Sequence, residues 1–165
     1  MSRSYDPPAW VAVGIVAIGW IGFAKVVDHL LSVDYAVYQA ALAEVGRTYE
    51  GANVGWSQPH SLLEELAQQH SDEMAKRELQ DHSGFQQRFD KIHRNLGLVA
   101  AEICAESWDW QRNDTPEQLA TDAFLSWSQS PGHWSVASKK HRYAGYGMAK
   151  GKNGIWYATI LVCDP

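Results

Sequence analysis

The N-terminal part of the chain contains an uncharged, largely apolar run of 16 residues, AWVAVGIVAIGWIGFA, at positions 9–24. As a helix this run is about 24 Å long, against roughly 30 Å for the hydrocarbon core of a bilayer. Val26 and Val27 extend the apolar length, and the apolar stem of Lys25 lets its charge reach the headgroups. The sequence therefore predicts a single transmembrane anchor over residues 1–31.

Particular residues of the run predict how the anchor lies in the bilayer. Trp10 is near one end, where an aromatic ring suits the membrane–water interface. Trp20 lies deeper and is expected to face a protein neighbour. Three glycines, Gly14, Gly19 and Gly22, favour close packing against another transmembrane helix.

A cleaved signal peptide is the alternative interpretation of this segment, with Gly22-Phe23-Ala24 as the small-residue site before the cut. The preceding MSRSYDPP has one arginine, one aspartate and two prolines, which is not the basic start of a signal peptide. We therefore favour an uncleaved anchor. Arg3 on one side, against Lys25 beside Asp28 on the other, favours a cytoplasmic N-terminus and an external domain.

The rest of the chain is divided into a stalk and linker over residues 32–60 and a domain over residues 61–165. Within the domain, hydrophobic spacing predicts a helix at about 61–80, with a capping box that begins at Ser61, and a helix at 85–96 that ends at Gly97. A strand at 98–105, a loop at SWDWQRND and a helix that begins at Thr115-Pro116 follow. Two closing strands, YAGYGMA and IWYATILVC, flank an Asn-Gly hairpin signal. This order of helices and strands predicts a layered α+β fold.

The charge of the chain is uneven. The formal net charge is −5, which disfavours a nucleic-acid partner for the chain as a whole. Residues 61–132 carry 13 acids and 6 bases, whereas residues 133–165 carry 5 bases and one acid. The basic C-terminal part is either an ordinary solvated surface or a docking face for anionic headgroups or an acidic partner.

Two features of the domain bear on chemistry. In WSQSPGHW, a Pro-Gly pair precedes His133 and predicts that the imidazole is held on a fixed turn. The only two cysteines are Cys104 and Cys163. In an exported domain they are expected to form one disulfide, and in a cytosolic domain they would be buried thiols.

From about Ser61 to Cys163, the sequence resembles the CAP superfamily, which comprises the cysteine-rich secretory, antigen-five and pathogenesis-related proteins. The closer likeness is to the bacterial branch. The segments that carry the resemblance occur in the family's order: LAQQHSDEMA, HSGFQQRF, AEICA, WSQSPGH, YAGYGMA and IWYATILV. The WSQSPGH segment and the ordered spacing are the more specific features.

The resemblance implies an α-β-α sandwich with a cleft in which two histidines and acidic groups meet. By position these residues are His82, Glu102 and His133. Two imidazoles and a carboxylate would hold zinc or another divalent ion with an open coordination position. Relatives bind sterols, fatty acids or other lipids, so the resemblance also implies a lipid ligand.

Several positions depart from the family pattern. Ser130 occupies the place of a second acid, Ile103 that of an asparagine and Trp134 that of an arginine. We therefore expect a cleft that is less polar and more apolar than in relatives. Each of the three cleft residues also has an ordinary structural interpretation, as a loop, strand or turn residue in a hydrogen bond.

These features together favour a non-catalytic protein, a single-pass protein of the inner membrane with its C-terminal domain in the periplasm. Its expected role is that of an accessory or structural subunit of a larger membrane complex, such as an energy-converting one, in contact with other membrane-protein subunits and the lipid bilayer. A membrane-tethered lipid- or metal-binding module is the alternative. A cell-wall or peptide hydrolase is disfavoured, because neither Ser83 nor Ser130 lies in a nucleophile motif.

Overall fold

A four-stranded sheet forms the centre of the fold, with the strand order β1-β3-β4-β2. The long strands β2 (Val99–Glu106) and β3 (Tyr143–Lys150) both pair antiparallel with β4 (Trp156–Asp164), and β1 (Gln58–Pro59) pairs parallel with β3. Nearly every residue of β4 is buried, because helices cover both faces of the sheet. The β3–β4 connection contains Asn153 and Gly154, as predicted, and Gly154 has a positive φ of 84°.

The computed structural model describes residues 34–107 and 115–165, and residues 35–165 form one compact unit. The predicted anchor, residues 1–31 with Trp10 and the glycines of the run, lies outside the described residues. Most of the predicted SWDWQRND loop also lies outside them. Within the described ranges, no helix combines the length and the apolar character needed to cross a bilayer.

Three helices cover one face of the sheet: α1 (Tyr35–Thr48), α4 (Pro116–Ser128) and α5 (Pro131–Ala137). A short 3-10 helix, Val54–Trp56, follows α1. The apolar side chains between these helices and the sheet form the largest hydrophobic cluster, with Phe124 and Trp127 of α4 fully buried. The start of α4 is as predicted, with Thr115 as the N-cap in a capping box with Gln118.

Two helices cover the other face, α2 (Ser61–Arg77) and α3 (Phe85–Leu96). Their apolar residues pack on the opposite sides of the same strands, for example Leu63 and Ile92 against Leu161. The chain is therefore an α-β-α sandwich, and the predicted fold class is confirmed for the described part of the chain.

Residues 35–60 differ from the predicted stalk and linker. Helix α1 packs into the main core through Ala41, Leu42 and Val45, and Leu42 is fully buried. The helical spacing of these apolar residues was recognisable in the sequence. The apolar residues of α1 have helical spacing because they are buried within the domain. The domain therefore begins before residue 61, where the sequence placed its boundary.

Two local predictions also need correction. Helix α2 is capped by His60, whose Nδ1 accepts from the backbone N–H of Leu62 at 3.2 Å, and the predicted capping box that begins at Ser61 does not form. The Pro-Gly pair before His133 does not make a turn. Pro131 instead begins the short helix α5, where its fixed φ suits the first helical position.

The expected disulfide between Cys104 and Cys163 is wrong, because the structure leaves both thiols buried and free. Cys104 lies opposite Thr159 in the β2–β4 ladder, and Cys163 lies opposite Ala100. Four residue positions therefore separate Cys163 from the partner of Cys104, or about 13 Å along the strand. That distance is beyond the reach of a disulfide.

Two glycines of β3 determine how closely α2 lies against the sheet. A Cβ atom at Gly147 would lie 2.3 Å from the backbone carbon and oxygen of Ala67, and one at Gly145 would lie 2.2 Å from the backbone carbon of Leu63. Because these contacts are with helix backbone, no side-chain movement can relieve them. Helix α2 is therefore held directly on β3.

We predict that Gly147→Ala destabilises the protein by about 3 kcal/mol, since the added methyl must push α2 away from β3. Gly132→Ala is the matched control, because a Cβ at Gly132 has no atom within 4 Å, and we expect a change within about 0.5 kcal/mol. Chemical unfolding of the detergent-solubilised full chain measures both effects. Equal stability of the Gly147 variant and the parent would contradict the close approach.

Candidate functional site

The centre of the site is Glu102, which lies on β2 and has a side chain that is only 1% exposed. Arg88 of α3 forms a bidentate salt bridge with this carboxylate: Nε donates to Oε2 at 2.7 Å, and Nη2 donates to Oε1 at 2.8 Å. The third nitrogen, Nη1, donates to the backbone oxygen of Ser83 at 2.9 Å. The guanidinium thus compensates the buried negative charge with the geometry that an arginine fork provides.

His82 lies in the loop between α2 and α3, and its Nδ1 donates to Oε1 of Glu102 at 2.9 Å. Its side chain is 46% exposed, so one side of the imidazole reaches solvent. The preceding residue, Asp81, accepts two hydrogen bonds from Arg77 at 2.7 and 2.8 Å, and these bonds hold the pKa of Asp81 well below its usual range. The loop that carries His82 is therefore fixed at its base.

His70 of α2 also faces Glu102, although it is fully buried. Its Nε2 donates to the backbone oxygen of Asp81 at 2.9 Å and lies 3.6 Å from Oε1 of Glu102. Its Nδ1 has no hydrogen-bond partner among the described residues. Burial lowers the pKa of His70, against the opposing effect of Glu102, so the neutral imidazole is favoured.

His133 lies on α5 and is half-buried. Burial lowers its pKa, and the neighbouring His82 lowers it further. Trp127, the first residue of the WSQSPGH segment, is fully buried and donates its indole N–H to the backbone oxygen of Cys104 at 3.0 Å. This bond connects the segment to β2, the strand that carries Glu102.

Two of the three predicted metal ligands, His82 and Glu102, are in contact through Nδ1 and Oε1. The third, His133, lies near enough to His82 for the charge of His82 to lower its pKa. Among the described residues, the ligand atoms of a different set, His70, Glu102 and Cys104, all lie within 4.8 Å of one another.

Cys104 is the second residue after Glu102 on β2, so its side chain lies on the same face of the sheet. Its Sγ lies 3.8 Å from Nδ1 of His82 and 3.9 Å from the hydroxyl of Thr159. Burial raises the pKa of this thiol well above its usual value, and Glu102 raises it further. Without a bound ion, Cys104 is therefore a protonated thiol with little nucleophilic character.

A shallow cavity of about 330 Å³ opens beside these polar groups. His82 and Glu102 form its polar side, and its apolar lining comes from Phe85, Ala100 and Ala101. This volume is at the lower end of the range for small-molecule sites. The cavity therefore has room for a small ligand or for part of a larger apolar one.

The sequence led us to expect that the positions departing from the family pattern make the cleft more apolar. The two apolar residues at these positions, Ile103 and Trp134, do not do so. Ile103 is 1% exposed and packs in the cluster on the α1 face of the sheet, opposite to the side of Glu102. Trp134 packs against that same cluster, with its ring 6.1 Å from the ring of Tyr49. Alternation along β2 explains the placement of Ile103, because adjacent strand residues face opposite sides.

Sequence reasoning did not place three side chains in the polar cluster around Glu102: His70, Arg88 and Cys104. A signal existed for each of them. His70 continues the buried stripe of α2 after Leu63 and Ala67, and Cys104 shares a strand face with Glu102. Arg88 belongs to the quoted HSGFQQRF segment, but a charged residue on an amphipathic helix is normally assigned to the surface.

The chain belongs to the cysteine-rich secretory protein (CAP) family, whose family profile matches residues 53–164. Among solved structures, it is similar to an outer surface protein from Borrelia burgdorferi, with 17% sequence identity and a TM-score of 0.54. The match covers 78% of this chain and 90% of the Borrelia chain. At this identity the likeness establishes the fold alone. No curated protein sequence matches the chain significantly.

We predict that Arg88→Ala destabilises the protein by about 3–5 kcal/mol, because it leaves the Glu102 carboxylate buried and unpaired. Arg77→Ala is the matched control, since Arg77 makes a similar two-pronged contact with Asp81 at the surface, and we expect a cost of at most about 1 kcal/mol. Chemical unfolding at neutral pH measures both variants. Similar losses from the two variants would contradict the central place of the buried pair.

Proposed function

We propose that this chain is a non-catalytic CAP domain, anchored in the inner membrane with the domain in the periplasm, which acts as an accessory or structural subunit of a larger membrane complex. The proposal joins two lines of support. The cleft supports a non-catalytic role, and the N-terminal sequence supports the anchor and its partners.

The observation that carries the non-catalytic part is the engagement of Glu102 by Arg88. Both carboxylate oxygens accept hydrogen bonds from the guanidinium, and the side chain is 1% exposed. A general base must be within hydrogen-bond reach of a substrate proton, and this carboxylate is turned towards its own cation. Glu102 therefore stabilises the cleft and does not present a reactive group to it.

A hydrolase with a covalent mechanism would also need an activated nucleophile, and the described part of the cleft has none. Cys104 is near His82, but the raised pKa of its thiol and its 2% exposure make it unreactive. His133 has no hydrogen bond to a serine or threonine hydroxyl among the described residues that would mark a base–nucleophile pair. These features favour a binding or scaffold role over a hydrolase.

The membrane part rests on the apolar run at residues 9–24 and its weak charge bias. The anchor is short and has three glycines and a deep tryptophan, features typical of a helix that packs against other transmembrane helices. The occurrence of the fold in a Borrelia protein named as an outer surface protein is consistent with an extracytoplasmic domain.

A second candidate function is the binding of a lipid or another small ligand in the cleft. It is favoured by the cavity beside His82, in which Phe85, Ala100 and Ala101 provide an apolar wall next to polar groups. An amphipathic ligand has the matching chemistry, with its polar end towards His82. In this case the anchor serves to hold the binding domain near the bilayer.

Extraction of the native membrane in mild detergent, followed by affinity purification of the full chain and mass spectrometry, tests the proposal. We expect the chain in a complex of fixed stoichiometry, and we expect that complex to be lost when residues 1–31 are deleted. In a control variant, an unrelated single-pass helix replaces residues 1–31 and keeps the domain at the membrane. A monomeric full chain without partner subunits would contradict the accessory role, and co-purified lipid on such a chain would favour the second candidate.

A further inference from the structure

We propose that this chain has a site for a divalent ion of the zinc type, formed by His70, His82, Glu102 and Cys104. The inference is independent of the proposed accessory role. It differs from the set that the family resemblance implies, because it uses His70 and Cys104 and does not use His133.

The spacing of the donor atoms carries the proposal. Ligand atoms of His70, Glu102 and Cys104 lie within 4.8 Å of one another. His82 adds a fourth donor, with its Nδ1 2.9 Å from Oε1 of Glu102 and 3.8 Å from Sγ of Cys104. Tetrahedral zinc with nitrogen, oxygen and sulfur ligands separates its ligand atoms by about 3.3–3.8 Å. Each of the four donors is therefore within 4.8 Å of at least two of the others, which is near the spacing that a shared ion requires.

The unpartnered nitrogen of His70 is the second, independent observation. In the structure, Nε2 carries the proton that it donates to the backbone oxygen of Asp81, and Nδ1 is buried without a hydrogen bond in the described part of the chain. When Nε2 binds an ion, the proton moves to Nδ1, which lies 3.9 Å from Oε2 of Glu73. A carboxylate behind a ligating histidine is the common arrangement in metal sites. The exposed side chain of Glu73 needs only a small rotation to accept a hydrogen bond from Nδ1 in the ion-bound state.

The protons of the other donors can be accounted for in the same way. Nδ1 of His82 now donates to Glu102, so it becomes a ligand when its proton moves to the solvent-facing Nε2. Cys104 loses its proton to solvent and binds as a thiolate, which favours zinc over magnesium or calcium. Oε1 of Glu102 then turns from His82 to the ion, and Arg88 keeps the carboxylate in place from the other side. One proton is released for each ion bound by the neutral site.

Titration of the reduced, detergent-solubilised full chain with Co²⁺ tests the site, because a cobalt–thiolate bond gives a near-ultraviolet charge-transfer band. We expect one equivalent to produce this band and Zn²⁺ to displace it. Cys104→Ser should abolish the band, and Cys163→Ser, at the other buried cysteine, should leave it unchanged. His82→Gln, at a half-exposed position, should weaken Co²⁺ binding by at least about tenfold.

Further variants separate this site from the set that the family resemblance implies. His70→Gln should weaken Co²⁺ binding by at least about tenfold, and His133→Ala should leave it unchanged. Circular dichroism of each variant shows that it is folded before the titration is interpreted. The proposal is overturned if the folded parent chain gives no band, if the band survives in Cys104→Ser, or if binding depends on His133 and not on His70 and His82.

Discussion

The buried contact between Arg88 and Glu102 is the interaction on which the cleft depends. Removing a carboxylate from water costs several kcal/mol, and only a well-placed cation with additional hydrogen bonds compensates that cost. Arg88 meets this need from α3, and its third nitrogen also binds the loop at Ser83. One guanidinium therefore connects a strand, a helix and the loop that carries His82.

The position of His70 beside this pair depends on how α2 lies on the sheet. Gly145 and Gly147 let the helix backbone approach β3 more closely than any side chain would allow. This approach places His70 against Glu102 and fixes the start of the loop that ends at α3. The position of His70 is thus a consequence of backbone packing, and a shift of α2 would move His70 together with the start of the loop that carries His82.

Much of the fold could be predicted from the sequence, because its signals are local. The Thr115-Pro116 start of α4, the Asn-Gly hairpin and the glycine after α3 each fix a backbone conformation through nearby atoms. The predicted stalk failed for a different reason. Whether Leu42 faces solvent or a core depends on partners that are distant in sequence, and helical periodicity alone does not identify them.

The candidate site shows the same division. The resemblance selected His82 and Glu102, which the structure brings into contact, but it gave no role to Arg88, whose charge would be assigned to the surface if only the helix were considered. The disulfide prediction failed because cysteine count carries no information on strand register. The role of Arg88 depends on where α3 packs, and the separation of the two cysteines depends on strand register. Neither of these long-range features can be read directly from the sequence.

A double-mutant cycle on Arg88→Met and Glu102→Met is the most direct test of the central claim that these two residues act as one buried unit. Each single variant leaves the other charge buried and unpaired, and we expect each to lose about 3–5 kcal/mol of unfolding free energy. The double variant should recover most of that loss, with a coupling energy of at least about 2 kcal/mol. Costs that simply add, to within about 0.5 kcal/mol, would contradict the account.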